Sequence, residues 1–537
     1  MVMSEALPYS KTGGLGDVGG ALPSALVRLG CDVTVVLPRY RGVEGGDEVG
    51  RFAAGSWPGA RELRVLQRVH EDGVRVWLVD CPAYFDRDGI YGDETGDYPD
   101  NDRRFATLSR AALETAALLH WRPSVVHAHD WQTGLVPAYL RSRLQHVPEL
   151  AAMPTVFTIH NLAYQGLFAA DIVPAVDLGW ESYTHDRLEF WGRASFLKSG
   201  INFSDVVTTV SRRYAQEIQT AEHGFGFEGI LQRRRDVLIG IPNGIDTKAW
   251  NPSADPWLPA AFSARSLKGK AVVKKALLER CGMTTAEQVK RPLIGMVSRM
   301  VDQKGHDLIE AAQAELLAMD ATFIILGTGE PKYQEMWRAL AAAHPDRVSV
   351  TIGFSEELAH LIEAGADVFL MPSNFEPCGL NQMYSLRYGT VPVVRATGGL
   401  DDTVQQVDAT TGEGTGFRFD DYTPQAMVTA LREALDAFAQ PARWRTIQVA
   451  GMKQDHSWSA SAREYLKAYQ HAIDLAAAGE QAPADVPAPP EVPAAAVAVA
   501  ARSVQARPAP RLVPAARPRP VRASRGVVAT KRRKVNP

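Results

Sequence analysis

Twice along this chain, short apolar runs alternate with segments whose apolar residues recur at helical spacing, and this repetition limits the fold more than any other feature. In the first half, residues 33–37, 74–79, 124–127, 155–158 and 206–210 read as strands, while 21–29 and 103–119 read as helices. Turn residues gather between Pro242 and Pro252, and the pattern then restarts with strands at 293–297, 322–326, 348–351, 368–371 and 391–394. Strand and helix in alternation give a parallel sheet covered on both faces. Two doubly wound, Rossmann-like α/β domains are therefore expected, over 1–241 and 242–458. A chain of 537 residues also exceeds what one core usually holds. A helix over 459–477 closes the folded part, and 478–537 reads as a disordered Ala/Pro/Arg-rich tail, too poor in buried apolar surface to offset its ordering entropy.

That tail carries eleven Arg and Lys against three Asp and Glu, so the rest of a chain with net charge −3 is acidic. Lys531-Arg532-Arg533-Lys534 could attract a polyanion such as nucleic acid, but a solvated extension is the preferred reading. No apolar run reaches the roughly 18 residues of a membrane helix, and Met1 to Glu5 shows no secretory pattern, so a cytoplasmic location is expected. Four widely spaced cysteines include no Cys-x-x-Cys pair, which argues against a disulfide framework or a zinc site.

The chemistry gathers at strand ends. Glu376 is bracketed by Pro377, Cys378 and Gly379 where the run 367–371 stops. A carboxylate at the carboxyl end of a buried strand, with a helix following, reads as an active site. Lys11 precedes Gly13 and Gly14, which would let backbone amides approach a phosphate, although the same glycines fit a plain strand-to-helix turn. Arg299 and Lys304 lie five apart beyond the first strand of the second domain, where both could reach one anionic group or simply sit in water. Asp130 beside Trp131 suits a carboxylate binding sugar hydroxyls next to an apolar ring. His160 ends a strand and is by default structural; Phe354 is either a core aromatic or a stacking surface. Gly327 to Glu330 reads as a strand-to-helix turn lining the cleft, and Asp401-Asp402 as a helix start. No Asp-x-Asp lies between apolar strands, so no metal is expected. No Gly-x-Gly-x-x-Gly is followed by an acid about 20 residues on, which disfavours a dehydrogenase.

Six motifs lie in one order from residue 11 to about 404: Lys11-Thr12-Gly13-Gly14-Leu15-Gly16-Asp17, His127-Ala128-His129-Asp130-Trp131-Gln132-Thr133, Thr158 to Gly166, Pro242-Asn243-Gly244-Ile245-Asp246, Ser298 to Gly305, and the 371–400 stretch around Glu376. In these the chain resembles the bacterial glycogen synthase and plant starch synthase family (glycosyltransferase family 5), which moves glucose from a nucleotide-glucose onto the end of an α-1,4-glucan. The resemblance implies the GT-B architecture, two Rossmann-like domains facing across a cleft, with 459–477 crossing back onto the first. It implies Glu376, His160, Arg299 and Lys304 as catalytic residues. Lys11, Gly13, Gly14, Phe354, Cys378, Gly379, Leu380 and Thr397 would bind the donor, and Asp130, Asn243 and Tyr98 the acceptor glucan. ADP-glucose is the implied donor, with UDP-glucose left open, and neither cofactor nor metal is needed.

Glu376 is nucleophile, electrostatic stabiliser or sugar-hydroxyl acceptor; front-face transfer with a stabilising Glu376 is favoured. Cys378 is expected to be the reagent-sensitive thiol. Tyr384 stands where related families carry a second Glu, and Gln132 and Thr133 replace the His and Ala or Ser of some bacterial relatives. Only Met1, Val2 and Met3 precede Ser4, so the family's first strand is either short here or begins upstream. The rival readings are another two-domain sugar-nucleotide enzyme, a UDP-glucose-dependent transferase or epimerase, and a non-catalytic glucan-binding relative; the latter would be expected to lose Glu376, Lys304, Arg299 or His160.

Overall fold

A computed structural model describes residues 1–479 except 56–59, 145, 148–149 and 151. In the carboxyl-terminal half, six strands pair in parallel in the spatial order Val348–Ile352, Thr322–Gly327, Leu293–Val297, Val368–Met371, Val391–Arg395, Phe417–Phe419. Leu293–Val297 neighbours both the second and the fourth strand in sequence, so the winding direction reverses between it and Val368–Met371. Ligands of open α/β sheets bind outside the carboxyl ends of the strands at such a reversal. Thr322–Gly327 and Val368–Met371 are buried along their whole length, which explains why they read as unbroken apolar runs. Phe417–Phe419 is too short to read from sequence.

In the amino-terminal half, Val126–His129, Thr155–Ile159, Val206–Thr209 and Leu238–Gly240 pair in parallel in that order. Thr34–Pro38 pairs in parallel with Arg75–Asp80. Val2 joins the two groups, bridging Ala128 on one side and Val36 on the other. The expectation of a wholly parallel sheet fails at the far edge, where Glu62–Val69 runs antiparallel to both Arg75–Asp80 and Asp47–Ala53. The links 70–74 and 54–61 explain it: a parallel crossover needs about a dozen residues or more.

Two crossings of the chain lie side by side between the halves. The Ile245 amide donates to the His456 carbonyl at 2.8 Å, and the helix Trp458–Ala478 then returns to the amino-terminal half. There it packs Tyr465, Ala468 and Ala472 against Val18, Leu22 and Leu26 of the helix Gly14–Arg28. Trp250, on the first crossing, is stacked between His360 and Tyr384 with ring centroids 3.8 Å away on each side. The returning helix ends at Ala478, with Gly479 in the left-handed conformation at φ 72°; the remainder of the expected tail lies outside the described residues. Among the described residues no helix is long and apolar enough to cross a membrane.

Leu22 is fully buried against the returning helix. Leu22→Ala should lower the unfolding free energy by about 3 kcal/mol, read as a lower urea midpoint; an unchanged midpoint would show that this contact does not hold the helix in place.

Candidate active site

Two loops of the carboxyl-terminal half meet at the winding reversal. After Leu293–Val297 the chain passes Arg299 and makes a short 3-10 turn, Asp302–Lys304; Gly305, at φ 78°, then packs on the Pro372 carbonyl, where any Cβ would collide. The Asn374 amide donates to the Gln303 carbonyl at 2.9 Å, and Gln303 Nε2 to the Phe375 carbonyl at 3.3 Å. These bonds bring Lys304 Nζ to 2.5 Å from Glu376 Oε2, which also accepts from Ser373 Oγ at 3.0 Å. Glu376 is buried, whereas Arg299 is exposed, its guanidinium donating to Gln303 Oε1 at 3.0 Å. The loop thus holds one cation on the carboxylate and leaves another exposed.

Gly398 and Gly399 open the helix Gly398–Thr403 directly on the Glu376 loop, and a Cβ at either would collide with the Glu376 or Cys378 carbonyl oxygen. Thr397 is buried, and its hydroxyl donates to Glu217 at 3.2 Å; the Gly398 amide donates to the same carboxylate at 3.1 Å. Glu217 belongs to the helix Arg212–Glu217 of the other half. In return Asp402 accepts from the Arg212 and Arg213 amides at 2.5 and 3.1 Å. Each helix so places its terminal acid at the other's start, where partial positive charge favours it.

On the amino-terminal lip, Glu5 accepts from the Thr12 amide, from Thr12 Oγ1 at 2.8 Å and from the Gly13 amide at 3.1 Å, with Tyr91 OH donating at 2.5 Å. Lys11 is exposed and pairs with Asp17 at 2.6 Å. A Cβ at Gly13 or Gly14 would meet nothing within 4 Å. Neither glycine has a left-handed φ. Among the described residues nothing occupies the space a side chain would take there.

Asp130, at φ 58°, is held in an uncommon backbone conformation by its carboxylate, which accepts from the His160 amide at 2.7 Å, and by its own amide, which donates to the Thr158 carbonyl at 2.9 Å. Burial pushes the Asp130 carboxyl up to about 7 against two backbone amides that favour its charged form. The acid expected to bind sugar hydroxyls thus has one oxygen committed to fixing His160. Burial holds the His160 imidazole down at about 3.

Of the remaining candidates, Phe354 is 83% exposed beyond the strand Val348–Ile352, which excludes the core-aromatic reading. Tyr98 is sandwiched between the Arg87 and Arg104 guanidiniums, 4.7 and 5.0 Å from its ring centroid, and its hydroxyl accepts from the Gly89 amide, so it stiffens its own loop. Asn243 is buried at the crossing, and among the described residues its side-chain carbonyl has no protein partner. Gly379 takes φ 69° before the helix Asn381–Arg387, and Leu380 is half-buried beside it.

Cys378 corrects an expectation: it is buried, and burial pushes its thiol up to about 12, while Cys31 and Cys281 are partly exposed. Sequence reading missed Glu5, Ser373 and Glu217. A signal existed for Glu217, which lies three residues after buried Tyr214 on an apolar helix face.

A model of the starch synthase catalytic domain matches residues 1–233, and one of group 1 glycosyl transferases matches residues 284–447. The glycogen synthase of Anaeromyxobacter dehalogenans (strain 2CP-C) is 49% identical over 479 residues, covering 87% of this chain and 98% of that protein. That of Koribacter versatilis (strain Ellin345) is 46% identical over 477 residues, covering 88% and 98%. The solved catalytic domain of starch synthase IV from Arabidopsis thaliana, bound to ADP and acarbose, aligns with a TM-score of 0.78 at 34% identity, covering 88% of this chain and 98% of that one. The architecture is GT-B.

In the native protein a thiol reagent should label Cys31 and Cys281 well before Cys378, as peptide mass mapping would read; rapid labelling of Cys378 would contradict its burial. A second expectation concerns acid. His127, His129 and His160 are all held well below the ordinary histidine value, first by burial. Below about pH 6.5 the unfolded chain takes up protons that the folded rings refuse, so stability falls with pH by up to about 1.4 kcal/mol per unit for each. The melting midpoint at pH 5 should lie below that at pH 7, and equal midpoints would mean the rings titrate freely.

Proposed function

Because this chain belongs to the family of bacterial glycogen synthases and plant starch synthases, we propose that it lengthens an α-1,4-glucan, moving glucose from ADP-glucose onto the non-reducing 4-hydroxyl with retention and releasing ADP. The observation that carries the reading is the Lys304–Glu376 pair at the winding reversal, with Arg299 exposed beside it. Lys304, Arg299 and Lys11 supply cations for the charge that develops on the departing diphosphate, worth most where water is excluded. With that charge met by side chains, the transfer runs without a metal or other cofactor. The choice of ADP over UDP is supported by the ADP bound to the similar plant starch synthase; Phe354 offers a stacking surface for the base of either.

Retention through a covalent intermediate would need a carboxylate free to attack the anomeric carbon. Glu376 is held by Lys304 and Ser373, and Asp130 by backbone amides. Front-face transfer fits these commitments. The bond from the anomeric carbon to the diphosphate breaks, the bond to the acceptor oxygen forms on the same face, and the acceptor's proton passes to the departing diphosphate. Glu376 holds the sugar and stabilises its positive charge, and His160 contacts the glucose on the opposite lip. Gly13, Gly14, Cys378, Gly379 and Leu380 shape the donor's surroundings through their backbone. Donor contact at Thr397 requires Glu217 to release it. The acceptor lies on the amino-terminal lip, near Asp130 and Asn243, with Tyr98 acting through its loop. A cytoplasmic location goes with this reading.

Glucose incorporation into glycogen, run in parallel with ADP-glucose and UDP-glucose, tests the reading; no transfer from either by folded protein would overturn it. Lys304→Ala should lower kcat by about 10²–10³-fold, with Glu376→Gln at least as severe. Phe354→Ala should raise KM for ADP-glucose about tenfold, the worth of one stacked base, with kcat little changed; an unaltered KM would remove Phe354 from the donor site.

A further inference from the structure

Three histidine rings lead from the middle of the amino-terminal sheet to the cleft. His127 and His129 lie on one face of the strand Val126–His129, two residues apart, with ring centroids 4.0 Å apart. His160 follows the neighbouring strand Thr155–Ile159, and its Nε2 stands 3.0 Å from His129 Nδ1. His127 has both nitrogens engaged, Nε2 with Thr158 Oγ1 at 2.6 Å and Nδ1 with Tyr469 OH at 2.8 Å. His129 is fully buried, and among the described residues its Nε2 has no protein partner. Nothing in the transfer described above uses it.

Two imidazole nitrogens 3.0 Å apart need one proton between them. If His160 were the donor, the proton of neutral His129 would have to sit on Nε2, as a buried N–H without a protein acceptor. An unpaired buried donor is the costlier of the two arrangements, because an acceptor lone pair is more readily left unmade. The proton therefore belongs on His129 Nδ1, donated to His160 Nε2, which leaves the proton of His160 on its own Nδ1. We propose that His129 is a positioning residue that holds His160 as the neutral, Nδ1-protonated tautomer with its ring fixed for glucosyl transfer. The proposal rests on the reading of His160 as a residue that contacts the transferred glucose.

A neutral ring matters because positive charge grows at the anomeric carbon, and an imidazolium there would oppose it. The charged and titratable groups around the pair are His127 tilted at 34° against His129, with Tyr465, Tyr469 and the Met1 amine beyond it, Asp130 accepting the His160 amide, and Glu5 near Asp130. No carboxylate is hydrogen-bonded to either ring among the described residues, so none stabilises a cation there directly.

The test compares His129→Phe, which keeps a ring but cannot donate, with His129→Asn, whose amide nitrogen can stand near the place of Nδ1. His129→Phe should lower kcat about 10–100-fold, as lost orienting partners commonly do, with KM for ADP-glucose and glycogen within about twofold, and His129→Asn should recover most of it. In the wild-type protein labelled with 15N-histidine, the His160 signals, assigned by comparison with a His160→Gln sample, should show a protonated Nδ1 and a bare Nε2. Wild-type kcat in folded His129→Phe, failure of His129→Asn to recover activity, or a protonated His160 Nε2 would each overturn the proposal. If His129→Phe does not fold, the wild-type spectrum decides. A wild-type protein inactive on both sugar nucleotides would remove the transferase reading instead, leaving the spectrum to judge the tautomer.

Discussion

A carboxylate withdrawn from water must be met by hydrogen-bond donors, and four such acids tie the cleft together. Glu5 fastens the Thr12–Gly13 turn, Asp130 the His160 turn, Glu217 the start of the Gly398–Thr403 helix, and Glu376 accepts Lys304 and Ser373. Each bond runs between a buried or half-buried acid and a loop at a strand end, where backbone amides have no ladder partner. Loops of this kind are otherwise the mobile part of an α/β fold. Here their positions are set by charge-assisted bonds to neighbouring strands and helices, so the site inherits the rigidity of both sheets.

The strand pattern was legible because fully buried parallel strands leave long apolar runs: all five expected in the carboxyl-terminal half are present within a residue or two. The edge Asp47–Ala53 and Glu62–Val69 was not read, since half-exposed strands rich in Arg and Glu show only weak alternation. Glu376, Lys304 and Arg299 were each legible at a strand end, but only the resemblance grouped them, since the sequence pattern does not show which strand ends lie side by side. The roles of the other acids were not, because sequence cannot tell a carboxylate that meets a ligand from one that meets a backbone amide. Asp130 is the instructive case: the residue type, the strand end and the adjacent Trp131 all suggested sugar binding, and the fold commits one oxygen to the His160 amide. Cys378 misled for a related reason, since a position two residues from an acid at a strand end says nothing about whether its sulfur reaches solvent.

The electrostatic character of the two lips differs. The carboxyl-terminal lip is ionic, with Lys304 on Glu376 and Arg299 turned outward. The amino-terminal lip has its own ion pair at its outer turn, Lys11 with Asp17, but the layer beneath the His160 ring is made of neutral rings and hydroxyls: His127, His129, Thr158, Tyr469. A reaction in which negative charge leaves on one side while positive charge grows in the middle is served by such a division, since cations are needed at the diphosphate and would be harmful beside the sugar. The reciprocal clasp of Glu217 and Asp402 holds the two characters in register across the seam.

The glycines on the two lips record different things. Gly398 and Gly399 are dictated from within, because the Glu376 and Cys378 carbonyls occupy the space a side chain would need. Gly13 and Gly14 face open space and take no backbone conformation denied to other residues. One pair is a cast of the protein's own interior; the other, on the proposed reading, is a cast of the visitor. On that reading stability and function are written in the same residue type on opposite lips, and a sequence grown more stable by filling Gly13 and Gly14 would be a better-folded protein with its binding surface erased.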